Sequence, residues 1–248
     1  MPDDHLIAIP VFNEERYLER VLEEVKRYGR EVLVVDDGST DATPQLLAGH
    51  GDIHVITHPE NRGYGMSLAD AFAFAQRVGY RWLITMDCDE QHEPACIPCF
   101  LAAAAEGNVD IISGTRYPNG HDGDTPAPAD RREINRKITA LLNERLALGI
   151  TDAFCGFKAY CVAALKRLNI TVPGYAMPMQ FWVQVWRAGL RVRELPVRLI
   201  YNDPSRHFGG HLDDPDVRYR HYLDVFESEW NEPAAPPPRR GTGCLPCR

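Results

Sequence analysis

The chain has no long hydrophobic run and no excess of positive charge, and each absence excludes a class of protein. No stretch of about 18 consecutive apolar residues occurs, so we predict no transmembrane helix. The formal net charge is −8, which gives no electrostatic support for binding to nucleic acid. The start, Met1 to His5, lacks the basic and apolar regions of a signal peptide, which favours a cytoplasmic location.

The cysteine content argues against a disulfide framework. The seven cysteines are an odd number and no secretion signal precedes them, so we expect free thiols. Two Cys-x-x-Cys pairs, Cys96/Cys99 and Cys244/Cys247, together have the ligand count of a zinc site. The first pair lies in a predicted helix and the second in a Pro-rich tail, so a shared zinc site is not favoured.

The first half of the chain alternates short apolar runs with amphipathic stretches, the pattern of strand–helix–strand units. Apolar runs predict five strands, at Leu6–Ile9, Glu31–Asp36, Ile53–Thr57, Trp82–Met86 and Val109–Ser113. The stretches between them predict helices at Glu15–Tyr28, Ala42–Ala48, Met66–Val78 and Pro94–Glu106. Continuous apolar strands are buried on both faces, so we predict an α/β fold with a mostly parallel sheet.

The second half is less regular and begins with a polar loop at Tyr117–Asp130 that is rich in Gly and Pro. Its pattern predicts helices at Arg131–Leu148, Gly174–Ala188 and Pro215–Trp230, and a strand at Arg191–Tyr201. We predict a single domain over residues 1–231 and a disordered Pro-rich tail over residues 232–248.

A polar cluster follows each of the five predicted strands. Because parallel strands end at one edge of a sheet, the clusters should form one rim, where open α/β sheets bind ligands. Each cluster alone has a simpler explanation as a turn or a helix cap. Their common position at one edge of the sheet nevertheless favours a ligand-binding site. The clusters are Pro10–Glu14, Asp36–Asp41, Asn61–Gly65, Asp87–Gln91 and Gly114–Tyr117.

The cluster after the fourth strand has the composition of a metal site. Asp87, Asp89 and Gln91 alternate along the chain, so an extended backbone would point all three side chains the same way. Oxygen ligands of this kind suit a hard divalent cation. The alternative is a polar strand-to-helix turn that places Asp89 or Glu90 near the start of the next helix.

Two other clusters have properties of a nucleotide site. The adjacent carboxylates of Asp36 and Asp37 repel each other when buried and need hydrogen-bond donors, such as a base N–H edge or ribose hydroxyls. Gly63 and Gly65 permit close backbone approach at a helix start, which favours anionic groups. Asn13, taken alone, is better explained as the N-cap of the first helix.

In this order the clusters resemble glycosyltransferase family 2, and most closely its dolichyl-phosphate mannosyltransferase group. The resemblance extends through Gly114–Tyr117 and Asp152–Lys158 and covers residues 6–212. It implies the GT-A fold, a Rossmann-like, mostly parallel central sheet with helices on both faces. It also implies a metal-dependent, inverting transfer of a sugar from a GDP- or UDP-linked donor.

The resemblance assigns roles at the donor end. It implies donor-binding roles for Pro10, Phe12, Asn13, Glu14, Asp37, Gly65, Asp87 and Cys88, of which Glu14 and Asp37 would contact the nucleoside. Asp87, Asp89 and Gln91 would hold Mg²⁺ or Mn²⁺ against the diphosphate, whose developing charge the cation stabilises. Arg206 would reach the donor phosphates as a catalytic group.

At the acceptor end, the resemblance implies that Arg116, Arg131 and Asn135 hold a phosphate, and arginine forks suit this bidentate contact. Both arginines therefore count as catalytic as well as acceptor-binding residues. Asp152 is the strongest candidate for a catalytic base or a positioning residue. Its alternatives are a helix cap or a partner for Lys158, and weaker candidates for the base are His92, Asp122 and Asp124.

Three functions remain open at the level of sequence. The acceptor implied by the resemblance is a polyprenyl phosphate, which this chain would meet through a partner or a transient peripheral membrane contact. A saccharide or small-molecule hydroxyl is the second acceptor class, and it requires a catalytic base. The third function is a non-catalytic, nucleotide-sugar-binding regulatory protein.

Overall fold

The centre of the protein is a mixed sheet of seven strands. A computed structural model describes residues 4–120, 127–201 and 207–233. Within them the strands are β1 (His5–Val11), β2 (Val32–Asp36), β3 (His54–Thr57), β4 (Trp82–Thr85), β5 (Ile111–Thr115), β6 (Lys158–Cys161) and β7 (Val192–Pro196). They lie in the order β3-β2-β1-β4-β6-β5-β7.

Helices connect most of these strands. They are α1 (Leu18–Lys26), α2 (Thr43–Leu47), α3 (Tyr64–Val78), α4 (Ile97–Ala105), α5 (Ala129–Leu146), α6 (Val162–Leu165), α7 (Met177–Arg187) and α8 (Pro215–Asn231). Short 3₁₀ turns at Pro94–Cys96 and Gly210–Asp213 precede α4 and α8. No helix in the described ranges is long and apolar enough to cross a membrane.

The prediction of a mostly parallel sheet is confirmed. β1 pairs in parallel with β2 and β4, and β2 pairs in parallel with β3. β6, which the sequence did not reveal, is antiparallel to both β4 and β5. Two successive antiparallel pairings leave β5 parallel to β4, so all five predicted strands end at the same edge of the sheet.

Burial follows the position of each strand in the sheet. Every residue of β2 and β4 is buried, as expected for strands covered on both faces. β3 was expected to be buried in the same way, and this is wrong. It is the edge strand, with β2 as its only neighbour, and its Val55 is exposed.

Aromatic packing fixes the segment that precedes β6. Phe157 is fully buried and stacks on Phe100, with ring centroids 4.4 Å apart. The indole Nε1 of Trp182 on α7 donates to the carbonyl of Ala153 at 2.9 Å. The segment that follows Asp152, from Ala153 to Phe157, is therefore held at both ends by buried rings, and its position is set by the core.

Several predicted boundaries shift by a few residues. α5 begins at Ala129 and α7 at Met177, and β7 ends at Pro196. α1 begins at Leu18, so Asn13 is not its N-cap. The backbone of Asn13 has a φ of 57°, and its Oδ1 accepts the N–H of Thr40 at 2.8 Å, so this side chain joins the loop after β1 to the loop after β2. Residues 234–248 of the predicted tail lie outside the described residues.

Gly65, in the first turn of α3, faces protein and is not among the residues that line the cavity, which does not favour the donor-binding role expected of it. The N–H of Gly65 donates to the carbonyl of Pro173 at 2.6 Å. A Cβ at Gly65 would lie 2.0 Å from the carbonyl oxygen of Val172, and one at Gly63 would lie 2.4 Å from that of Pro173. The close approach that these glycines permit is therefore to the 172–174 segment.

We predict that Gly65→Ala destabilises the fold by about 1–3 kcal/mol, because its methyl group overlaps rigid backbone atoms. Gly51→Ala is the matched control, since a Cβ there meets nothing within 4 Å. Urea unfolding of the two variants measures the difference. Equal stability of Gly65→Ala and the wild type would contradict the close packing of α3 on the 172–174 segment.

Candidate active site

A cavity of about 900 Å³ lies at the edge where the parallel strands end. The residues predicted to bind the donor or its cation that line it are Pro10, Phe12, Asn13, Glu14, Asp37, Asp87, Cys88, Asp89 and Gln91, and we call this part of the wall the donor end after that prediction. The residues predicted to bind the acceptor that line it are Arg116, Arg131 and Asn135, and we call their part the acceptor end. Gly65 and Asp152 are not among the lining residues, and Arg206, Asp122 and Asp124 lie outside the described residues.

Asp37 obtains its hydrogen-bond donors from the protein itself. Its Oδ1 accepts the N–H of Arg62 at 2.8 Å, and its Oδ2 accepts the N–H of Gly63 at 2.8 Å. The two amides belong to the loop between β3 and α3. Backbone amides therefore supply part of the hydrogen-bond donors that the buried carboxylates of Asp36 and Asp37 require. These two bonds hold the Asp37 side chain rigidly at the cavity wall.

The backbone turns after Asp87, so the expected extended arrangement of the metal candidates is wrong. β4 ends at Thr85, Glu90 has a φ of 58°, and the Oδ1 of Asp89 accepts the backbone N–H of Gln91 at 3.0 Å. The segment is the polar turn that was the alternative. The turn nevertheless leaves Asp87, Asp89 and Gln91 on the wall of the same cavity.

The side chains of Asp87, Asp89 and Gln91 fit a divalent cation that takes its remaining ligands from a bound substrate. No group of three His, Cys, Asp or Glu side chains forms a metal cage in the described part of the chain. The wall offers two carboxylates, Asp87 and Asp89, with the amide of Gln91 beside them. Mg²⁺ is commonly held by one or two carboxylates together with substrate phosphates and water, and this donor set suits that mode of binding.

Asp87 is fixed by two side chains whose roles were not predicted. The hydroxyl of Tyr64 donates to its Oδ1 at 3.1 Å. The backbone N–H of Asp87 donates to the Nδ1 of His92 at 3.0 Å. Burial lowers the pKa of His92 to about 4, so the ring is neutral at pH 7 and its Nδ1 can accept this bond. His92 therefore holds the turn and does not line the cavity.

A buried ion pair joins Arg116 to Asp152. The Nε of Arg116 donates to Oδ2 at 2.7 Å and its Nη2 to Oδ1 at 2.9 Å, a bidentate contact. Asn135 and the N–H groups of Arg116 and Phe154 donate to the same carboxylate. Asp152 neither caps a helix nor pairs with Lys158, whose Nζ donates to the carbonyl of Cys155.

The pair bears on the two roles expected of Asp152, a catalytic base or a positioning residue. Burial raises the pKa of Asp152, but the charge and hydrogen bonds of Arg116 outweigh burial and hold this pKa well below its usual range. Burial lowers the pKa of Arg116, and the charge of Asp152 more than reverses this effect. A catalytic base needs a pKa near the working pH. The geometry therefore favours Asp152 as the residue that positions Arg116.

Arg131 lies among aromatic rings at the acceptor end. Its guanidinium is 5.4 Å from the ring centroid of Tyr201 and 4.7 Å from that of Phe208. Arg218, which was not predicted, lies over Phe208 at 4.4 Å and donates to Asp130 at 2.5 Å. Arg218 and Asp130 are 88 positions apart in the sequence, and no periodicity or motif connects them.

The fold and the cavity have the form expected of an enzyme that uses a nucleotide sugar. The model of the family described as glycosyl transferase family 2 matches residues 6–168. Polyprenol monophosphomannose synthase of Mycolicibacterium smegmatis is 30% identical over 206 residues, 77% of this chain and 76% of its own length. Undecaprenyl-phosphate mannosyltransferase of Micrococcus luteus is 28% identical over 216 residues, 83% of this chain and 88% of its own.

Among solved structures, glucosyl-3-phosphoglycerate synthase from Mycobacterium tuberculosis, in complex with Mn²⁺, UDP and glucosyl-3-phosphoglycerate, has the same fold. The TM-score is 0.69 at 19% identity, over 93% of this chain and 81% of that one. The chain belongs to glycosyl transferase family 2. It has the GT-A fold and is a glycosyltransferase, so the non-catalytic alternative is set aside.

We predict that Asp152→Asn lowers the free energy of unfolding by about 3–5 kcal/mol at pH 7, because Arg116 is left without its buried counter-charge. The pKa of Asp152 is below its unfolded value, so the pair stabilises the fold fully above about pH 4 and less as the pH falls below that value. The variant should therefore lose less stability than the wild type between about pH 5 and pH 2.

Urea unfolding of the wild type and the variant at several pH values measures both effects. Asp52→Asn is the control, because that carboxylate is exposed in its ion pair with Lys26 and should contribute little. A variant as stable as the wild type at pH 7 would show that the Arg116–Asp152 pair does not hold the site.

Proposed function

We propose that this protein transfers a hexose, with inversion, from a nucleotide-diphosphate sugar to a polyprenyl phosphate, using Mg²⁺ or Mn²⁺. The observation that carries the acceptor class is the Arg116–Asp152 pair. The names of the two curated relatives, which refer to polyprenol and undecaprenyl phosphate, support the same acceptor.

At the donor end, the chain's own residues bind and orient the nucleotide. Asp37 and Glu14 are buried at the wall where a nucleoside would lie, and Phe12 is exposed beside them and offers a ring face. The solved synthase of the same fold contains UDP and Mn²⁺, which supports a donor of this kind. UDP and GDP are both candidates for the leaving nucleotide.

Asp87, Asp89 and Gln91 would hold the divalent cation. When bound, the cation supplies positive charge to the diphosphate as it leaves. Tyr64 and the ring of His92 keep Asp87 in place, so the carboxylate does not need to reorganise when the donor enters. The turn at Glu90 places Asp89 and Gln91 at the same wall.

The acceptor end is built for an acceptor that is already ionised. A hydroxyl acceptor needs a base with a pKa near the working pH, and Asp152 is held as a stable carboxylate by Arg116. A phosphate acceptor needs cationic hydrogen-bond donors, which Arg116 and Arg131 supply at the cavity wall. These two arginines therefore bind and orient the attacking phosphate.

The remaining wall of the acceptor end is rich in apolar surface, which suits an isoprenoid chain next to the phosphate. These lining residues are Ile134, Phe154, Tyr175, Leu199, Tyr201, Phe208 and Tyr222. An acceptor of this kind resides in a lipid bilayer, so we infer that the enzyme contacts the membrane surface peripherally during the reaction.

We predict that UDP or GDP binds appreciably more tightly with Mn²⁺ than without it. The cavity wall supplies only part of the cation's ligands, so the diphosphate would supply others and gain affinity from that contact. Asp89→Ala should remove this gain and lower turnover about 10²–10³-fold while the protein stays folded. Isothermal titration and donor-sugar turnover measure the two effects.

The control for the metal test is Glu90→Gln, whose carboxylate pairs with Arg20 at 3.2 Å and does not line the cavity. It should retain the metal dependence. Binding that is independent of metal in the wild type, or full turnover by Asp89→Ala, would overturn the metal assignment.

We predict that Arg131→Ala lowers kcat/KM for a polyprenyl phosphate about 10- to 100-fold, because a charged hydrogen-bond donor to the phosphate is lost. Arg131→Lys should recover only part of this loss, since an ammonium cannot form the fork contact or stack between Tyr201 and Phe208 in the same way. Steady-state kinetics with a short-chain polyprenyl phosphate measure the effect.

Arg136→Ala is the matched control for Arg131, because Arg136 lies on the same helix but is exposed and pairs with Glu133. It should leave the kinetics unchanged. Transfer to a saccharide hydroxyl by the wild type, with no transfer to the polyprenyl phosphate, would show that the acceptor class is wrong.

A further inference from the structure

A chain of hydrogen-bonded ionisable groups runs behind the donor end of the cavity. The Nδ1 of His58 lies 2.6 Å from the Oδ1 of Asp37, and its Nε2 lies 2.8 Å from the Oδ2 of Asp70 on α3. The His58 side chain is 4% exposed, that of Asp37 is 5% exposed and that of Asp70 is 33% exposed. A buried imidazole is therefore placed between a carboxylate at the cavity wall and one at the surface.

The contacts of Asp37 show what the imidazole does there. Oδ1 accepts both the His58 ring and the N–H of Arg62, which uses both of its lone pairs. Oδ2 accepts the N–H of Gly63 and, among the described residues, no second donor. Asp37 lines the cavity, so the remaining lone pair of Oδ2 is its one uncommitted acceptor position for a ligand.

His58 is itself fixed on both sides. Its backbone N–H donates to the carbonyl of Asp36 at 2.9 Å, which continues the pairing of β2 with β3 by one residue. Its partner Asp70 also accepts the Nη1 of Arg62 at 2.9 Å. Arg62 thus donates to Asp37 through its backbone N–H and to Asp70 through its side chain. Asp37, His58, Asp70 and Arg62 therefore form a closed ring of contacts.

We propose that His58 is a positioning residue for the donor nucleoside: it fixes the rotamer of Asp37 and leaves Oδ2 directed to the ligand. This inference rests on the proposed function, because it takes Asp37 as a nucleoside contact. A carboxylate only accepts hydrogen bonds, so the ring nitrogen that faces Asp37 acts as the donor in that contact. Without the ring, the buried Oδ1 of Asp37 loses one of its two hydrogen-bond donors, and the side chain of Asp37 is no longer held in one rotamer.

The test is a set of His58 variants that separates the contact to Asp37 from general packing. In the presence of Mn²⁺, titration with UDP and GDP should show that His58→Ala weakens nucleotide binding about tenfold. His58→Asn, whose amide nitrogen lies near the Nδ1 position, should recover most of this affinity. KM for the donor should rise in His58→Ala, whereas kcat at saturating donor should stay within about twofold, because the metal and acceptor residues are untouched.

A double-mutant cycle shows whether His58 acts through Asp37. The double variant Asp37→Ala/His58→Ala should bind nucleotide no more weakly than Asp37→Ala alone, because the role of His58 ends when its partner is removed. The matched control is His54→Ala, whose ring contacts Glu31 at 3.3 Å away from the cavity, and it should bind as the wild type does. Circular dichroism verifies that each variant is folded at the temperature of the titration.

The outcomes separate this inference from the proposed function. Unchanged binding by Asp37→Ala would overturn the donor-site assignment itself. Weaker binding by Asp37→Ala, together with unchanged binding by His58→Ala or additive losses in the cycle, would overturn the role of His58 alone. If His58→Ala does not fold, Asp70→Ala decides, because it removes the group that anchors the far side of the His58 ring: the inference requires it to weaken nucleotide binding, and wild-type affinity would refute it.

Discussion

The buried ion pair between Arg116 and Asp152 is the contact on which the acceptor end of the cavity depends. It links the end of β5 to the segment before β6, and Asn135 joins it from α5. Glu194 on β7 accepts the N–H groups of Thr151 and Asp152 and so fixes the same segment from the neighbouring strand. Burying two charges is costly and rarely justified by stability alone. The burial is understandable here because the carboxylate binds one edge of the Arg116 guanidinium and so holds the group in one orientation at the cavity wall.

The donor end is organised by a different physical principle. Its loops are joined mainly by hydrogen bonds from backbone amides to polar and carboxylate side chains. Asn13 accepts the N–H of Thr40, and its own N–H donates to Ser39, so the loops after β1 and β2 are locked together. Asp37 is similarly bound by the amides of the next loop. A rigid surface of this kind suits a nucleotide that enters and leaves repeatedly, since little ordering is needed at each binding event.

The sequence predicts the strands of the parallel half and the polar residues at their ends, because both follow from local patterns. The continuous apolar runs of β1, β2 and β4 and the acidic cluster at Asp87–Gln91 are examples. β6 was missed because its sequence, Lys-Ala-Tyr-Cys at Lys158–Cys161, is not a continuous run of large apolar residues like those of β1, β2 and β4. The partners of Asp152 and of Asp37 were missed for another reason. Arg116 is 36 positions from Asp152 and His58 is 21 from Asp37, and only the folded topology brings them together.

The position of β6 also permits the sheet to grow in stages during synthesis. The pairings among β1, β2, β3 and β4 involve only residues up to Thr85, so this part of the sheet can form while the rest of the chain is still being made. β5 follows β4 in sequence but not in space, and it joins the sheet only through β6, which ends at Cys161. The part of the cavity wall that follows β1, β2 and β4 can therefore form on the ribosome before the part that follows β5.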